Sequence, residues 1–214
     1  MTDSLWVKVC GVQTESIASR LTNEGLVNAI GLNRYPSSSR YVDDVRAKTL
    51  SEVISEQEGE ANITGVYVNE SIQQITEDIK RFNLDFVQLH GDESPDTVNQ
   101  LLAHTNVIKA FRISPDFKRN QLEAYQPTYF LLDAYRPDRY GGTGETAPWE
   151  TIRPWTEAFE IILAGGITPA NVVPAIQSVD PYGIDVNSGL EGKDGTKDWS
   201  KVQLLIENVK SVLT

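Results

Sequence analysis

The chain has 214 residues, of which 40% are hydrophobic and 23% are charged, and this composition is that of a globular protein rather than a disordered or fibrous one. Its length suffices for one sizeable core, so we expect a single domain that spans residues 1–214. The formal net charge of −11 and the pI near 4.6 repel polyanions and therefore argue against nucleic acid or an anionic membrane as a partner.

The N-terminus and the cysteine content predict a cytoplasmic protein. The segment MTDSLWVKVCG contains no basic region followed by a cleavable apolar stretch, and no later segment approaches the ~20 apolar residues of a membrane span. Cys10 is the only cysteine, so an intramolecular disulfide and a CxxC metal site are both excluded. His90 and His104 are far apart in sequence and lack clustered partners for zinc, so we expect no metal.

Short apolar runs alternate with polar segments of helical character, a pattern typical of strand–helix units around a parallel sheet. The predicted strands lie near residues 5–10, 26–32, 63–68, 84–89, 106–112, 128–133, 160–164 and 182–187. Eight strands in a chain of 214 residues favour an α/β fold of the compact TIM (β/α)8 barrel type. An open doubly wound sheet would show fewer strands and a GxGxxG turn before a helix, and the sequence has no such turn.

Helix starts between these strands carry capping signals. Thr14 precedes ESIASRL, Ser71 precedes IQQITEDIKRF, and Asp198 precedes WSKVQLLIENV; side-chain oxygens of these residue types accept hydrogen bonds from the first backbone N–H groups of a helix. Two further starts place proline after the cap, at residues 94–95 and 168–169, where the missing N–H costs nothing. Helices are therefore predicted in most of the gaps between strands.

Several predicted strands end on a residue that can do chemistry. The ends are Cys10 after LWVKV, His90 after DFVQL, Asp133 after YFLL and Asp185 within YGIDV. The C-terminal ends of all strands in a parallel barrel point to one face, which carries the active site. We therefore expect these side chains to surround one cavity.

Two long loops are predicted at the same face. NRYPSSSRYVDD follows the second predicted strand and AYRPDRYGGTGETAP follows the sixth. Loops of this length in a compact domain are usually functional, and each contains arginine. The first loop is a candidate source of a cation, and the second is a candidate lid.

Glycines after the last strands predict an anion site. Gly165 and Gly166 precede a helix that begins with proline, Ser188 and Gly189 follow the final strand, and Gly142 lies in a GGTG turn. Glycine lets a phosphate approach main-chain N–H groups, and adjacent helix N-termini add positive potential. The alternative is that these glycines only permit tight turns.

One further set of segments occurs in a fixed order: VKVCG, SSSRYV, GVYVNE, VQLHGDES, LLDA, GGTG, LAGGITPANV, IDVNSGLEG and a closing KD. Together they resemble the phosphoribosylanthranilate isomerase family over nearly the whole chain. The resemblance implies a TIM barrel that converts N-(5′-phosphoribosyl)anthranilate to 1-(2-carboxyphenylamino)-1-deoxyribulose 5-phosphate. This Amadori rearrangement belongs to tryptophan biosynthesis and uses no cofactor. A monomer is expected, with a homodimer as the alternative.

The resemblance also implies roles for individual residues. Asp133 is assigned as the general acid and Cys10 as the general base, and the rearrangement needs one of each. Asp133 must be partly desolvated to hold a proton, and Cys10 must be able to reach the thiolate state. Arg40 matches a contact to the anthranilate carboxylate and Asp185 a contact to the ribose. His90 is a candidate substrate-binding residue beside them.

The chain departs from the family pattern at four places. Gln13 stands where threonine, lysine or arginine is more common, and Asn187 stands where a second serine is common. ETAPWE replaces the usual Phe-Asp before Trp149, so the packing of a lid is in question. NAIGLNRYP lacks the usual aromatic-rich strand end, so the anthranilate-ring pocket is in question too. Both proposed catalytic groups are kept.

Other interpretations stay open at this point. Without the resemblance, Cys10 is more often a small buried strand residue than a base, whereas for Asp133 a functional role is favoured and a capping or turn role is the alternative. Arg40 is then an exposed loop residue, and Asp185 a structural one. A histidine-pathway sugar isomerase would perform the same rearrangement, but that family has an aspartate where Cys10 stands. A catalytically silent barrel that binds a phosphorylated metabolite or a protein would need neither a thiol nor an acid.

Overall fold

The computed structural model describes residues 5–114, 116–134 and 149–213, in which eight parallel strands close into one barrel. The strands are β1 (Trp6–Cys10), β2 (Ala29–Asn33), β3 (Asn62–Tyr67), β4 (Phe86–Leu89), β5 (Asn106–Ile113), β6 (Tyr129–Ala134), β7 (Ile161–Leu163) and β8 (Gly183–Val186). Each strand pairs with the next one in the chain, and β8 pairs with β1 to close the ring. The predicted TIM barrel is confirmed, and every predicted strand overlaps an observed one.

Helices follow most of the strands. They are α1 (Glu15–Thr22), α2 (Asp44–Ser55), α3 (Ile72–Phe82), α4 (Pro95–Leu102), α5 (Trp149–Ile152), α6 (Val172–Val179) and α7 (Trp199–Leu213). The predicted caps Ser71 and Ser94 each accept a hydrogen bond from a backbone N–H three residues on, which satisfies one of the free donors at a helix start. Between β5 and β6, the described residues form only a short 3-10 helix over Arg119–Gln121 instead of a full helix.

The helix after β7 begins later than predicted. It starts at Val172 instead of Pro169. The reason is a turn that Asn171 closes: its side chain accepts a hydrogen bond from the backbone N–H of Thr168 at 2.7 Å and donates one to the carbonyl of Gly166 at 2.9 Å. The side chain thereby holds the backbone between β7 and α6 in a fixed conformation.

Side chains that point into the barrel form its inner core. Because successive strand residues point to opposite faces, one set of apolar residues packs outward against the helices and another packs inward. At the N-terminal ends of the strands lies a group of rings with centroids 4.6–5.9 Å apart, which we call the aromatic floor: Trp6, Phe86, Tyr129 and Tyr182. The floor fills this end of the barrel interior.

Candidate active site

The C-terminal ends of the strands surround a cavity of about 430 Å³. Its walls include most of the predicted site residues: Cys10, Arg40, His90, Asp133, Gly165, Gly166, Asp185 and Ser188. Asn33, Tyr35, Gln88 and Asn187 also line it. The predicted phosphate residue Gly142, like most of the predicted lid loop, lies outside the described residues. Side chains that are scattered through the sequence therefore meet at one face of the barrel.

Cys10 ends β1 beside a glycine that makes room for it. A Cβ added to Gly31 would lie 2.8 Å from the sulfur of Cys10, so a larger residue on β2 would push the thiol aside. The side chain of Cys10 is only 4% exposed. This burial raises the pKa of the Cys10 thiol above its usual value, although the nearby ammonium groups of Lys8 and Lys197 lower it in part.

Lys8 lies two residues before Cys10 on the same strand, and its side chain therefore points to the same side of the sheet. It is completely buried, and its Nζ lies 2.8 Å from Oδ1 of Asp185 on β8. Burial alone would lower the pKa of Lys8, but attraction to Asp185 and to Cys10 outweighs it and raises that pKa. A buried ammonium thus lies beneath the thiol, and Asp185 is both its partner and a wall of the cavity.

Asp133 on β6 lines the cavity next to His90. The side chain of Asp133 is 6% exposed, so it is largely removed from solvent. Oδ2 of Asp133 lies 3.4 Å from Nε2 of His90, and Nδ1 of His90 lies 2.8 Å from the amide nitrogen of Gln88. With the amide in this orientation Nδ1 accepts a hydrogen bond, so the proton of a neutral imidazole is on Nε2 and faces Asp133. Gln88 thereby fixes the imidazole ring beside the carboxyl group of Asp133, although Nε2 itself makes no hydrogen bond within the described residues.

Arg40 reaches the cavity from the loop between β2 and α2. Its Nε and Nη2 lie 2.5 and 2.8 Å from the two carboxylate oxygens of Glu191. The aliphatic part of Arg40 passes over Gly11, where a Cβ would lie 2.8 Å from Cδ of Arg40. Hydrogen bonding to Glu191 raises the pKa of Arg40 despite burial, so the guanidinium is a permanent cation at this wall.

The two glycines after β7 adopt a left-handed backbone conformation, and their contact with phosphate is a prediction. Gly165 and Gly166 have φ angles of +83° and +68°, a region that residues with a Cβ rarely adopt. Ser188 begins a 3-10 helix after β8 and lines the cavity. Gly189 does not line it: a Cβ there would lie 2.0 Å from the carbonyl oxygen of Ile167, so this glycine lets two loops pack together. Its contact with phosphate stays a prediction.

Four residues of this region have no counterpart in the sequence-based predictions: Lys8, Gln88, Glu191 and Lys197. Lys8 and Gln88 carry a detectable signal, because they share the strand parity of Cys10 and His90 and must therefore point inward. Glu191 and Lys197 carry none. Their side chains meet through an antiparallel bridge between the two residues, which only the folded loop after β8 creates.

No group of three or more His, Cys, Asp or Glu side chains in the described part of the chain is arranged to hold a metal ion. Among the described helices, none combines the length and the apolar character needed to cross a membrane.

A closed parallel barrel with a thiol, a carboxyl group, an imidazole and a fixed cation around one cavity at its C-terminal face defines an enzyme-type (β/α)8 barrel. The family model described as N-(5'phosphoribosyl)anthranilate (PRA) isomerase matches residues 7–208. The isomerase of that name from Geotalea uraniireducens (strain Rf4) is 38% identical over 206 residues, which are 96% of this chain and 98% of that protein. The chain therefore belongs to the PRA isomerase family.

Solved structures agree with this assignment. The phosphoribosylanthranilate isomerase of Thermotoga maritima superposes with a TM-score of 0.87 at 32% identity, over 97% of this chain and 99% of that one. A structure of phosphoribosylanthranilate isomerase in complex with reduced 1-(o-carboxyphenylamino)-1-deoxyribulose 5-phosphate superposes with a TM-score of 0.84 at 30% identity, over the same shares of the two chains. A product analogue is therefore known in a relative of the same fold.

Proposed function

We propose that the cavity converts N-(5′-phosphoribosyl)anthranilate to 1-(2-carboxyphenylamino)-1-deoxyribulose 5-phosphate. One observation carries the proposal: Cys10 on β1 and Asp133 on β6 line the same cavity from strands that are not neighbours. A substrate between them has a proton donor on one side and a proton acceptor on the other, as an Amadori rearrangement requires. The substrate named in the sequence-based prediction also carries a carboxylate and a phosphate, which suit Arg40 and the glycine turn of residues 165–166.

The reaction begins at Asp133. Its proton passes to the ring oxygen of the ribose while the C1′–O bond breaks and the nitrogen lone pair forms a C1′=N iminium. The Cys10 thiolate then removes the proton from C2′. The electron pair of the C2′–H bond becomes a C1′=C2′ bond, and the π pair of the iminium returns to nitrogen. The resulting enolamine tautomerises to the ketone, so no external oxidant, reductant or metal enters the balance.

The raised pKa of Cys10 decides how the base operates. Burial favours the neutral thiol in the free protein, with Lys8 and Lys197 as opposing cations. The iminium brings a further positive charge into the cavity, and an adjacent positive charge favours the thiolate. Only the thiolate can accept the C2′ proton, and only the protonated carboxyl of Asp133 can give one, so kcat/KM depends on both groups. In Asp133→Asn, where this acid does not titrate, we expect the remaining kcat/KM to rise with pH as the thiol ionises.

The remaining residues serve binding and orientation. His90, held by Gln88, lies beside Asp133 and borders the ribose site. Asp185 faces the ribose from above Lys8, and the main chain of Gly165, Gly166 and Ser188 receives the phosphate. We further propose that the protein acts as a monomer on this small phosphorylated substrate; light scattering at assay concentration tests that point.

The activity test follows the fluorescence of phosphoribosylanthranilate as purified protein consumes it, with no metal, nucleotide or flavin added. We expect full activity after exhaustive chelation. In parallel, the gene is introduced into a tryptophan auxotroph that lacks this isomerase and into a histidine auxotroph that lacks the sugar isomerase. Rescue of the first strain is expected. Rescue of the histidine strain alone, or activity that disappears with EDTA and returns with a divalent ion, would contradict the proposal.

A further inference from the structure

We propose that Glu191 is a positioning residue: it holds Arg40 by one edge of the guanidinium and turns the other edge toward the cavity to receive the substrate carboxylate. The inference rests on the proposed function, since it concerns the carboxylate end of that substrate. It adds to the site a residue that does not itself line the cavity.

The contacts of Arg40 show which edge is occupied. Nε and Nη2 form the side edge of the guanidinium, and both lie against the carboxylate of Glu191, at 2.5 and 2.8 Å. A guanidinium has five N–H donors in one plane, and a carboxylate that binds two of them leaves the end edge of Nη1 and Nη2 available. Arg40 lines the cavity, and no described residue accepts a hydrogen bond from its Nη1. A second carboxylate can therefore bind end-on.

Lys197 supplies the charge that this arrangement needs. Its Nζ donates to Oε1 of Glu191 at 3.0 Å, to Oδ1 of Asn187 at 2.7 Å and to the carbonyl of Asn187 at 3.1 Å. These three acceptors match the three hydrogens of an ammonium group. Arg40 and Glu191 alone would be a neutral pair, whereas two cations and one anion leave a net positive charge. The cluster therefore still attracts an anionic substrate group.

The ionisation of Glu191 supports the same arrangement. Burial works against its charged form, but the hydrogen bonds from Arg40 and the attraction of Lys197 outweigh it and hold the pKa of the carboxyl below its usual value. Glu191 is therefore an anion over the pH range in which the substrate carboxylate is one. It does not exchange protons with the ligand, and its effect on binding comes from where it holds the guanidinium.

The same cluster ties the carboxylate end of the cavity to its phosphate end. Asn187, which Lys197 grips through both side chain and backbone, directly precedes Ser188 at the phosphate turn. Among the described residues, the side chain of Glu191 bonds only Arg40 and Lys197; its contact with Ser188 is made by the backbone N–H, which a substitution at Glu191 retains. Loss of Glu191 should therefore affect carboxylate binding alone, whereas loss of Lys197 should affect both ends of the substrate.

The test compares two ligands by calorimetry. One is reduced 1-(2-carboxyphenylamino)-1-deoxyribulose 5-phosphate, and the other is the phenylamino compound that lacks the carboxylate. Wild type should prefer the first ligand. Because a charge-assisted contact depends on geometry, Glu191→Ala should reduce that preference about tenfold, with the Kd of the second ligand within about twofold of wild type. Glu191→Gln, which keeps one acceptor oxygen, should restore part of the preference, and it carries the test if the alanine variant does not fold.

Glu123→Ala is the matched control. It removes a carboxylate that lies 3.2 Å from Nη1 of Arg119 on the surface, and both Kd values should stay as in wild type. A second check combines Arg40→Ala with Glu191→Ala. If Glu191 acts through Arg40, the double variant should bind the carboxylate ligand no more weakly than Arg40→Ala does.

Two results would overturn the inference. Equal losses for both ligands would mean that Glu191 only maintains the loop, and tighter binding by Glu191→Ala would mean that it competes with the substrate for Arg40. Failure of the proposed function has a different signature. In that case the wild type itself would show no preference for the carboxylate ligand and no turnover of phosphoribosylanthranilate.

Discussion

The two ends of the barrel interior use the same strands for different tasks. From the N-terminal end to the C-terminal end, the inward side chains of three strands are Trp6, Lys8 and Cys10 on β1, Phe86 and Gln88 on β4 with His90 directly after that strand, and Tyr129, Leu131 and Asp133 on β6. Each series begins in the aromatic floor and ends at the cavity. On all three strands, the side chain changes from a packed ring to a reactive or hydrogen-bonding group within one strand length.

The polar groups at the two ends are satisfied to different extents. In the floor the hydroxyls of Tyr129 and Tyr182 bond each other at 2.8 Å, and their rings stack. At the cavity, Oε1 of Gln88 and Nε2 of His90 are buried without a hydrogen-bond partner among the described residues. Unsatisfied polar groups of this kind cost stability and are concentrated where a ligand binds. The floor therefore stabilises the barrel, and the cavity end is built for a substrate.

The largest expected effect is a loss of activity on substitution at the cavity end of the barrel. Cys10→Ala and Asp133→Asn should each lower kcat by about 10²–10⁴, the usual contribution of a general acid or base. Their melting temperatures should stay close to that of wild type, since Asp133→Asn is nearly isosteric and Cys10→Ala removes only one heavy atom, at the wall of the cavity. Steady-state kinetics and thermal unfolding measure the two quantities. Wild-type kcat in either variant would remove that residue from the mechanism.

Lys8→Met tests the layer between floor and cavity. It leaves Asp185 as a buried carboxylate without its cation, which should lower the free energy of unfolding by about 3–5 kcal/mol. The same change removes a charge that lowers the pKa of Cys10, so that pKa should rise further and the ultraviolet titration of the thiolate should move to higher pH. Urea unfolding and this titration are the measurements. Adding Asp185→Asn should recover stability, and an unchanged titration would show that Lys8 does not act on the thiol.

Trp6→Ala tests the floor alone. The half-buried ring contacts Phe86 and Tyr129 with centroids 5.9 and 5.7 Å away, so its loss should cost about 2–4 kcal/mol of unfolding free energy. At a temperature where the variant is folded, kcat and KM should match wild type. A large change in kcat in the folded variant would show that the two ends of the barrel are coupled.

The smallest expected effects concern binding at the two ends of the substrate. Arg40→Ala should lower kcat/KM about ten- to a hundredfold, chiefly through KM, because it removes a contact worth roughly 1.5–3 kcal/mol. Inhibition by inorganic phosphate should hardly change. Gly166→Val places a branched side chain at a φ of +68° and should weaken both substrate and phosphate. If Arg40→Ala weakened phosphate inhibition as strongly as Gly166→Val does, Arg40 would belong to the phosphate end of the cavity. The substrate would then be bound in the reverse orientation.

Much of the barrel is predictable because its signals are local. Apolar runs and capping residues mark the strands and most helix starts, and the rule that parallel strands end at one face brings Cys10, His90 and Asp133 together. The start of α6 was placed too early, because the turn depends on hydrogen bonds of Asn171 to two loop residues. The pattern of residue types along the chain does not predict such hydrogen bonds.

The charged residues behind the cavity were not predictable for a similar reason. In sequence, Glu191 and Lys197 lie among the polar residues of a loop and look solvent-exposed, yet the side chain of Lys197 is 2% exposed. Their burial depends on Arg40, which is 151 residues away from Glu191 in the chain. Lys8 is different. Its strand parity places it inside the barrel, and a lysine inside a barrel calls for a partner such as Asp185.

The ionisation of Cys10 tests the central claim most directly. The chain has one cysteine, so the ultraviolet absorbance of the thiolate, after subtraction of the same titration of Cys10→Ala, reports this residue alone. The pH dependence of the remaining kcat/KM is measured on Asp133→Asn, because that quantity reports the ionisation of the free enzyme and the amide removes the titration of the acid. The account predicts that both curves rise together, with a shared midpoint above the usual pKa of a thiol. Full kcat/KM at a pH where the thiolate is absent would contradict it.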